Sequence, residues 1–266
     1  MDWEQSVRGL QAASAGMSLS LNFLLIVLII KKSPEQLGSY RYLMVYIALF
    51  EMFYSIVDVV VSPTIFSHGT MFLVIVSTKK ATFSKFTLLL LDSLWCGCFG
   101  SFMLLFCIQF IYRYFVVIGS KLIGTFNDCR IVFWILIPII SGTIWGMATY
   151  FFLGPKTEAD LDIQNVMLTE LDLAIENVNY IGPRCHKTPN DESAIDIDSL
   201  VTITCMMIVQ ISSLSCIIIL AIKTFMRIRN TLDISTMSHR NRRIQSQTFY
   251  ALVSQTIIPV ILMHIP

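Results

Sequence analysis

Three acidic side chains lie inside long apolar stretches of the chain: Glu51, Asp58 and Asp92. A carboxylate in hydrocarbon is costly unless it is paired, hydrated or protonated. Glu51 and Asp58 are seven residues apart, which is about two turns of a helix, so we expect them on one face that turns toward the protein interior. Two interpretations stay open: the acids form the polar floor of a ligand pocket or an ion site, or they are hydrogen-bonded acids that hold helices together.

Cysteines are the next residues that could do chemistry, and their spacing argues against a metal site. Cys96 and Cys98 are two residues apart, so on a helix they point roughly 200° apart and cannot bind one ion together. Cys185 lies in a stretch expected outside the cell, where an oxidising compartment allows a disulfide with Cys96 or Cys98. Two possibilities stay open: one of these disulfides forms, or both partner thiols lie too deep in the membrane to reach Cys185. We predict no metal and no cofactor.

An enzyme is not predicted. The chain has no glycine-rich phosphate loop, no His-Glu-x-x-His motif and no nucleophile elbow, and its four histidines are scattered at His68, His186, His239 and His264.

Six apolar stretches must position these residues. They cover about residues 10–30, 42–63, 86–112, 131–153, 199–222 and 246–266. Each has about 20 residues or more, which as a helix spans a hydrocarbon core of about 30 Å. The chain is 55% hydrophobic and 14% charged, which is far from the composition of a soluble domain. The sequence therefore predicts an all-α membrane protein, with residues 1–266 as a single transmembrane bundle.

Basic residues predict the orientation, because loops rich in Lys and Arg stay cytoplasmic. With the N-terminus outside, twelve of the 19 Lys and Arg residues fall in inside loops. Three lysines at 79, 80 and 85 count against this topology. Ten of the 18 acids fall in the loop 154–198, which we predict to be extracellular.

Two loops have a character of their own. In the extracellular loop 154–198 apolar residues recur at near-helical spacing among acids, which predicts an amphipathic helix; they are Leu161, Leu168, Leu171, Ile175 and Val178. The loop 223–245 is basic, and we expect it to be cytoplasmic and to extend the fifth and sixth helices. Beside a membrane it favours anionic lipid or a cytosolic protein as its partner, not nucleic acid.

One motif at the end of the third stretch carries a family resemblance. The run 109–114, Gln-Phe-Ile-Tyr-Arg-Tyr, resembles the signature of the nematode Str-class serpentine chemoreceptors. Further stretches resemble the same family in order: 33–44, 50–55, 63–69, 180–183 and 255–266. The family resembles seven-helix G-protein-coupled receptors, with members implicated in the detection of small volatile molecules at the cilia of sensory neurons.

The resemblance implies a G-protein-coupled bundle and two sets of site residues. Those that contact a heterotrimeric G protein would be Tyr112, Arg113, Tyr114, Lys121, Arg227, Arg229, Arg240, Arg242 and Arg243. Candidates for the pocket of a small odorant are Asp58, Asp92, Trp95, Cys96 and Phe99. Pro259 would kink the sixth helix, either as a hinge or as a fixed bend.

The resemblance implies a multi-pass chemosensory receptor in the plasma membrane of a sensory cilium, in contact with membrane lipid. The chain ends at Pro266, where a sixth helix would end, so we expect that it lacks the seventh helix of the family. Two alternatives remain: a transporter or channel-like protein in which Glu51, Asp58 and Asp92 line a pathway, and a truncated receptor fragment that does not signal.

Overall fold

A computed structural model describes residues 2–32, 38, 40–68, 71–78, 83–155, 164, 168, 177–183, 186–188, 191–230, 247, 249–250 and 253–254. Its helices, in chain order, are α1 (Asp2–Lys32), α2 (Tyr40–Val61), α3 (Lys85–Ile118), α4 (Ile131–Ala148) and α5 (Ile197–Asn230). Its strands are β1 (Thr64–His68), β2 (Met71–Ser77), β3 (Val178–Ile181), β4 (His186–Thr188) and β5 (Asp191–Ile195). Short 3₁₀ turns at 121–130 precede α4, and a π-helical turn at 149–153 extends it.

Among the described residues, five helices are long and apolar enough to cross a membrane, and they match the first five predicted stretches. Most of the sixth stretch lies outside the described residues, although 249–250 and 253–254 are helical. The predicted ends need correction. The third helix does not stop at Tyr112 but continues to Ile118, because no helix-breaking residue occurs before Gly119, which caps it in the left-handed conformation at φ 65°. The fifth helix continues to Asn230, which agrees with the expected extension of this helix into the basic loop.

The third helix is the centre of the bundle. In the most apolar segment of α3, 72% of the residues are buried inside the protein. The corresponding segments of α1, α4 and α5 are each only 17% buried, so most of their apolar side chains face the lipid. Three hydrophobic clusters follow one another along α3 from its N-terminal to its C-terminal end, and each includes residues of α3. A site formed between α3 and the helices α2, α4 or α5 that pack on it therefore lies close to the centre of the bundle.

The all-α prediction needs one correction, because the outer loops contain β-structure. Strands β1, β2 and β3 form an antiparallel sheet with β2 in the middle. The residues from Leu73 to Val76 on β2 are buried against the outer end of α3. Asn179 of β3 attaches the sheet to the start of α3, because its side-chain Nδ2 donates a hydrogen bond to the Lys85 carbonyl at 2.7 Å.

The prediction of an amphipathic helix in the loop 154–198 is wrong at the C-terminal end of that helix. Val178 is the first residue of β3 and is buried in the sheet. Leu168 is helical, whereas Leu161, Leu171 and Ile175 lie outside the described residues. The same loop also contains the hairpin of β4 and β5. A periodic apolar pattern could not reveal this because the sheet is completed by β2, a strand about 100 residues earlier in the chain.

Two contacts place the predicted outside loops at the same end of the bundle. The pairing of β2 with β3 joins the connection after α2 to the connection after α4. Near the start of α1, the Gln11 side-chain amide donates to the Pro63 carbonyl at 3.1 Å, just after the end of α2. The N-terminal part of α1 and both connections are therefore neighbours, as the predicted topology requires. We call this end outer and the opposite end inner.

Glycines allow α3 and α4 to approach closely. A Cβ atom on Gly97 of α3 would lie 2.5 Å from the carbonyl oxygen of Gly142, and one on Gly146 would lie 2.9 Å from the carbonyl oxygen of Ser93. The indole of Trp145 packs over Gly100, where a Cβ atom would also be 2.5 Å from a ring carbon. Small residues at spacings of four on both helices are typical of membrane helices whose backbones are in contact.

Candidate functional site

An apolar cavity of about 290 Å³ lies at the outer end of the bundle between α3, α4 and α5, and we call it the outer pocket. The wall from α3 consists of Trp95, Cys96 and Phe99, three of the five residues predicted from the sequence to bind a ligand. Phe99 lies one helical turn after both other residues, at spacings of four from Trp95 and three from Cys96, so the three side chains fall within about 100° of the helix circumference. Opposite them lie residues of α4 and α5: Trp145, Thr149, Ile203, Met206, Met207 and Gln210.

The sheet covers part of the outer pocket from outside. Ile65 of β1, Phe72 and Val74 of β2 and Ile181 of β3 contribute side chains to its lining. Because β2 pairs with both of its neighbours, these side chains are fixed relative to one another by backbone hydrogen bonds. The pocket is therefore bounded by helices at its sides and by strands above, and it stays partly open, since Ile65 and Phe72 are 61% and 48% exposed.

Asp58 does not line the outer pocket but supports one of its walls. The indole Nε1 of Trp95 donates to the carboxyl Oδ1 of Asp58 at 2.8 Å, which joins α2 to α3. The Trp95 ring is also stacked between two aromatic neighbours, with ring centroids 6.0 Å from Tyr54 and 6.4 Å from Phe99. Asp58 thus fixes the position of a pocket side chain, which combines both interpretations that the sequence left open.

Replacement of Asp58 by leucine is expected to lower the stability of the bundle by about 1–3 kcal/mol, because the buried Trp95 indole N–H loses its acceptor. The matched variant Asp58→Asn keeps an oxygen acceptor at the same position and should lose less. Chemical unfolding of both variants in mixed micelles measures the difference. Equal losses in the two variants would contradict the role of the hydrogen bond.

The remaining predicted outer residues lie close by without joining the pocket. Asp92 of α3 is fully buried, and neither of its carboxyl oxygens has a hydrogen-bond partner among the described residues. Cys96 and Cys98 are buried free thiols, so neither forms a disulfide in the structure. Cys185 lies outside the described residues, and its pairing stays a prediction. The described residues contain no group of three or more side chains able to hold a metal ion.

At the inner end, Arg113 lies buried in the bundle and not on its surface. Its side chain is 2% exposed. The guanidinium carbon Cζ lies 4.4 Å from the centroid of the Tyr40 ring at the start of α2, a distance at which a cation is attracted to the ring face. The resemblance implied an arginine that meets a G protein, and in this conformation the α2 aromatic covers it.

Four aromatic residues surround this contact, and we call them the inner aromatic cluster: Tyr40, Tyr112, Phe126 and Trp134. Tyr40 stacks on Tyr112 with centroids 5.0 Å apart. Tyr112 meets the edge of Phe126 at 5.0 Å, and Phe126 stacks on Trp134 at 4.4 Å. The cluster therefore connects α2, α3, the 3₁₀ turns and α4 around Arg113, so a movement of Arg113 disturbs all four elements.

Some of the other residues predicted to contact a G protein are exposed to different degrees, and the rest lie outside the residues that the structure describes. Tyr114 is partly exposed, and Lys121, Arg227 and Arg229 are exposed at the inner end. Arg240, Arg242, Arg243 and Pro259 lie outside the described residues. The structure thus groups Tyr112 and Arg113 in one buried cluster and places the basic end of α5 on the surface.

A bundle of membrane helices with an apolar pocket at its outer end and a covered arginine at its inner end is typical of seven-transmembrane receptors. The chain belongs to the family of serpentine-type seven-transmembrane G-protein-coupled chemoreceptors of the Str class, whose sequence pattern matches residues 8–266. This is a family of receptors and not of enzymes. The recognition made from the run 109–114 is therefore confirmed, and so is the helical receptor-like fold.

Curated relatives from Caenorhabditis elegans agree with this assignment. The chain is 31% identical to G-protein coupled receptor str-217 over 97% of its own length and 74% of that receptor. It is 28% identical to Serpentine receptor class r-10 over 94% of its length and 73% of that protein. It is 26% identical to G-protein coupled receptor str-33 over 94% of its length and 72% of that receptor.

Proposed function

We propose that the chain is a chemosensory receptor that binds a small volatile molecule in the outer pocket and activates a heterotrimeric G protein at its inner end. The observation that carries the proposal is that both candidate sites are built on α3. Trp95 in the pocket and Arg113 in the inner aromatic cluster are separated by about 27 Å of one helix, at 1.5 Å per residue. A ligand that favours a different position of α3 would change the packing of both sites together.

The surroundings of the two sites support the same proposal. The outer pocket is small and mainly apolar, which suits a small, volatile molecule. Arg227 and Arg229 at the inner end of α5 are exposed, and they would contact anionic lipid or the G protein. We place the receptor in the plasma membrane of a sensory cilium, and microscopy of a tagged chain in sensory neurons tests that location.

Filling the outer pocket is the direct test of the proposal. The variant Ile203→Trp adds a large ring to the pocket wall and should abolish the response to a volatile that activates the wild type, or raise the concentration needed by at least about tenfold, because the added ring takes the ligand's place. The response is measured as ligand-stimulated nucleotide exchange by a G protein, with the chain reconstituted in a bilayer and a panel of small volatile compounds supplied.

The matched control is Ile208→Trp, the same substitution on the same helix at a side chain that is 60% exposed on the lipid side. It should respond as the wild type does. A response that survives in Ile203→Trp would exclude the outer pocket as the ligand site. If no compound of the panel increased nucleotide exchange in the wild type, the proposed signalling function would be rejected for this chain.

A further inference from the structure

Gln210 is a polar residue of the outer pocket that sequence reasoning did not single out. It lies four residues after Met206 and seven after Ile203, so the three side chains share one face of α5 and line the same cavity. The Gln210 side chain is 7% exposed. Its place in the middle of a membrane helix, between bulky apolar neighbours, requires a physical reason, because a buried amide is favourable only when it is hydrogen-bonded.

Neither end of the Gln210 amide has a hydrogen-bond partner among the residues that the structure describes. Both Oε1 and Nε2 are buried and unpaired there. A glutamine amide accepts hydrogen bonds at its oxygen and donates two from its nitrogen, so the pocket contains unused capacity of both kinds. Polar groups left unpaired inside a protein are costly, and a bound molecule that pairs with them removes that cost.

The rest of the lining restricts what such a molecule can be. The described residues around the outer pocket include no carboxylate, ammonium, guanidinium or imidazole group. The hydroxyl hydrogen of Thr149 is already used, since it donates to the Trp145 carbonyl at 2.8 Å, so this group offers a ligand no donor. A charged ligand would therefore lose its hydration without gaining a counter-ion. With about 290 Å³, the cavity is at the lower limit of the pockets that hold drug-sized molecules.

We propose that the Gln210 amide is the hydrogen-bonding group that selects the ligand, and that the ligand is a compact, neutral, mainly apolar molecule with a single carbonyl or hydroxyl group. This inference rests on the proposed function, because it takes the outer pocket to be the receptor's ligand site. The apolar part of the molecule packs between Trp95, Phe99 and Met206, and its oxygen pairs with the amide.

Four isosteric probes test the selection: cyclohexanol, cyclohexanone, methylcyclohexane and cyclohexylammonium. Their binding to the full chain in lipid nanodiscs is followed by the change in tryptophan fluorescence, since Trp95 and Trp145 line the pocket. The proteins compared are the wild type, Gln210→Leu, and the matched control Gln109→Leu, which removes another buried glutamine of the bundle that does not line the outer pocket. Partitioning of each probe into the bilayer is common to all three proteins and cancels in the comparison.

In the wild type we expect cyclohexanol and cyclohexanone to bind about tenfold more tightly than methylcyclohexane, once partitioning is accounted for, and cyclohexylammonium to bind most weakly. In Gln210→Leu the preference for the two oxygen-containing probes should disappear, because an apolar wall accepts methylcyclohexane equally well. Gln109→Leu should keep the preference of the wild type, which separates loss of the pocket amide from general loss of a buried amide.

Two results would overturn the inference and are distinguishable. If all probes bind and the preference is the same in the wild type and Gln210→Leu, the pocket binds small molecules as proposed but Gln210 does not select them. If none of the probes changes the fluorescence of the wild type, the outer pocket does not bind molecules of this size, and the proposed ligand site falls with the inference. A preference for cyclohexylammonium would contradict the neutral ligand class.

Discussion

Replacement of Tyr40 by leucine is expected to raise nucleotide exchange in the absence of ligand by about twofold to thirtyfold. The Arg113 guanidinium lies 4.4 Å from the Tyr40 ring centroid, and a cation–π contact is worth about 0.5–2 kcal/mol. In the proposed function Arg113 contacts the G protein, and it must leave this ring to do so. A leucine removes the ring and with it the attraction that favours the covered position, so the population shifts toward the state in which Arg113 is available.

The matched variant Tyr40→Phe keeps the ring face and loses the hydroxyl group, which is hydrogen-bonded to the Arg113 side chain. Its basal exchange should rise less than that of Tyr40→Leu, which loses both the ring and the hydrogen bond. The double variant Tyr40→Leu with Arg113→Met should lose the gain, because the increase depends on the released arginine. Basal exchange is measured with purified G protein and the reconstituted chain, after thermal unfolding has shown that each variant folds. An equal increase in Tyr40→Phe and Tyr40→Leu would contradict the contact as the restraint.

Replacement of Gly97 by valine is expected to destabilise the bundle by at least about 1–3 kcal/mol, the usual cost of overpacking. A Cβ atom at this position would lie 2.5 Å from the carbonyl oxygen of Gly142. The obstacle is backbone and not the end of a flexible side chain, so α3 and α4 must move apart. Because α3 is one wall of the outer pocket and the centre of the inner aromatic cluster, the separation should weaken both sites.

The control for this change is Gly16→Val in α1, where a Cβ atom would meet nothing within 4 Å. Both variants change the helix propensity by the same substitution, so the difference between them reports the close approach of α3 and α4. Unfolding in mixed micelles with increasing denaturing detergent measures both. Equal stability of the two variants would show that α3 and α4 separate at no cost.

The sequence was sufficient to place the predicted residues of the outer pocket on a common helix face. Trp95, Cys96 and Phe99 are close in sequence, and their side-chain directions follow from helical geometry alone. Gln210 was missed although a glutamine inside an apolar stretch is itself a signal, because only acids were considered as polar groups inside the helices. Asp58 was selected for its charge, but its function as the acceptor of Trp95 depends on how α2 packs beside α3.

The outer sheet had a recognisable signal that the interpretation did not use. A run that contains the strand-forming residues 64–66 and the apolar run 71–76 lie on either side of a Gly-Thr pair at 69–70, which is a hairpin pattern. The third strand could not be found in this way, since β3 is short and pairs with β2 from a distant loop. The glycines at 142 and 146 likewise formed a small-residue motif at a spacing of four, but the motif does not say which helix it meets.

The sequence alone was enough to find the five described helices that are long and apolar enough to cross a membrane, the receptor family to which the chain belongs and the place of Arg113 near the inner end of the third helix. These properties depend on the hydrophobicity of continuous segments and on short motifs, both of which are local. Only the tertiary structure decided that α3 is central, that the Tyr40 ring covers Arg113 and that strands form one wall of a pocket containing an unpaired Gln210 amide. Each of these depends on contacts between residues far apart in the chain, whose packing no local pattern specifies.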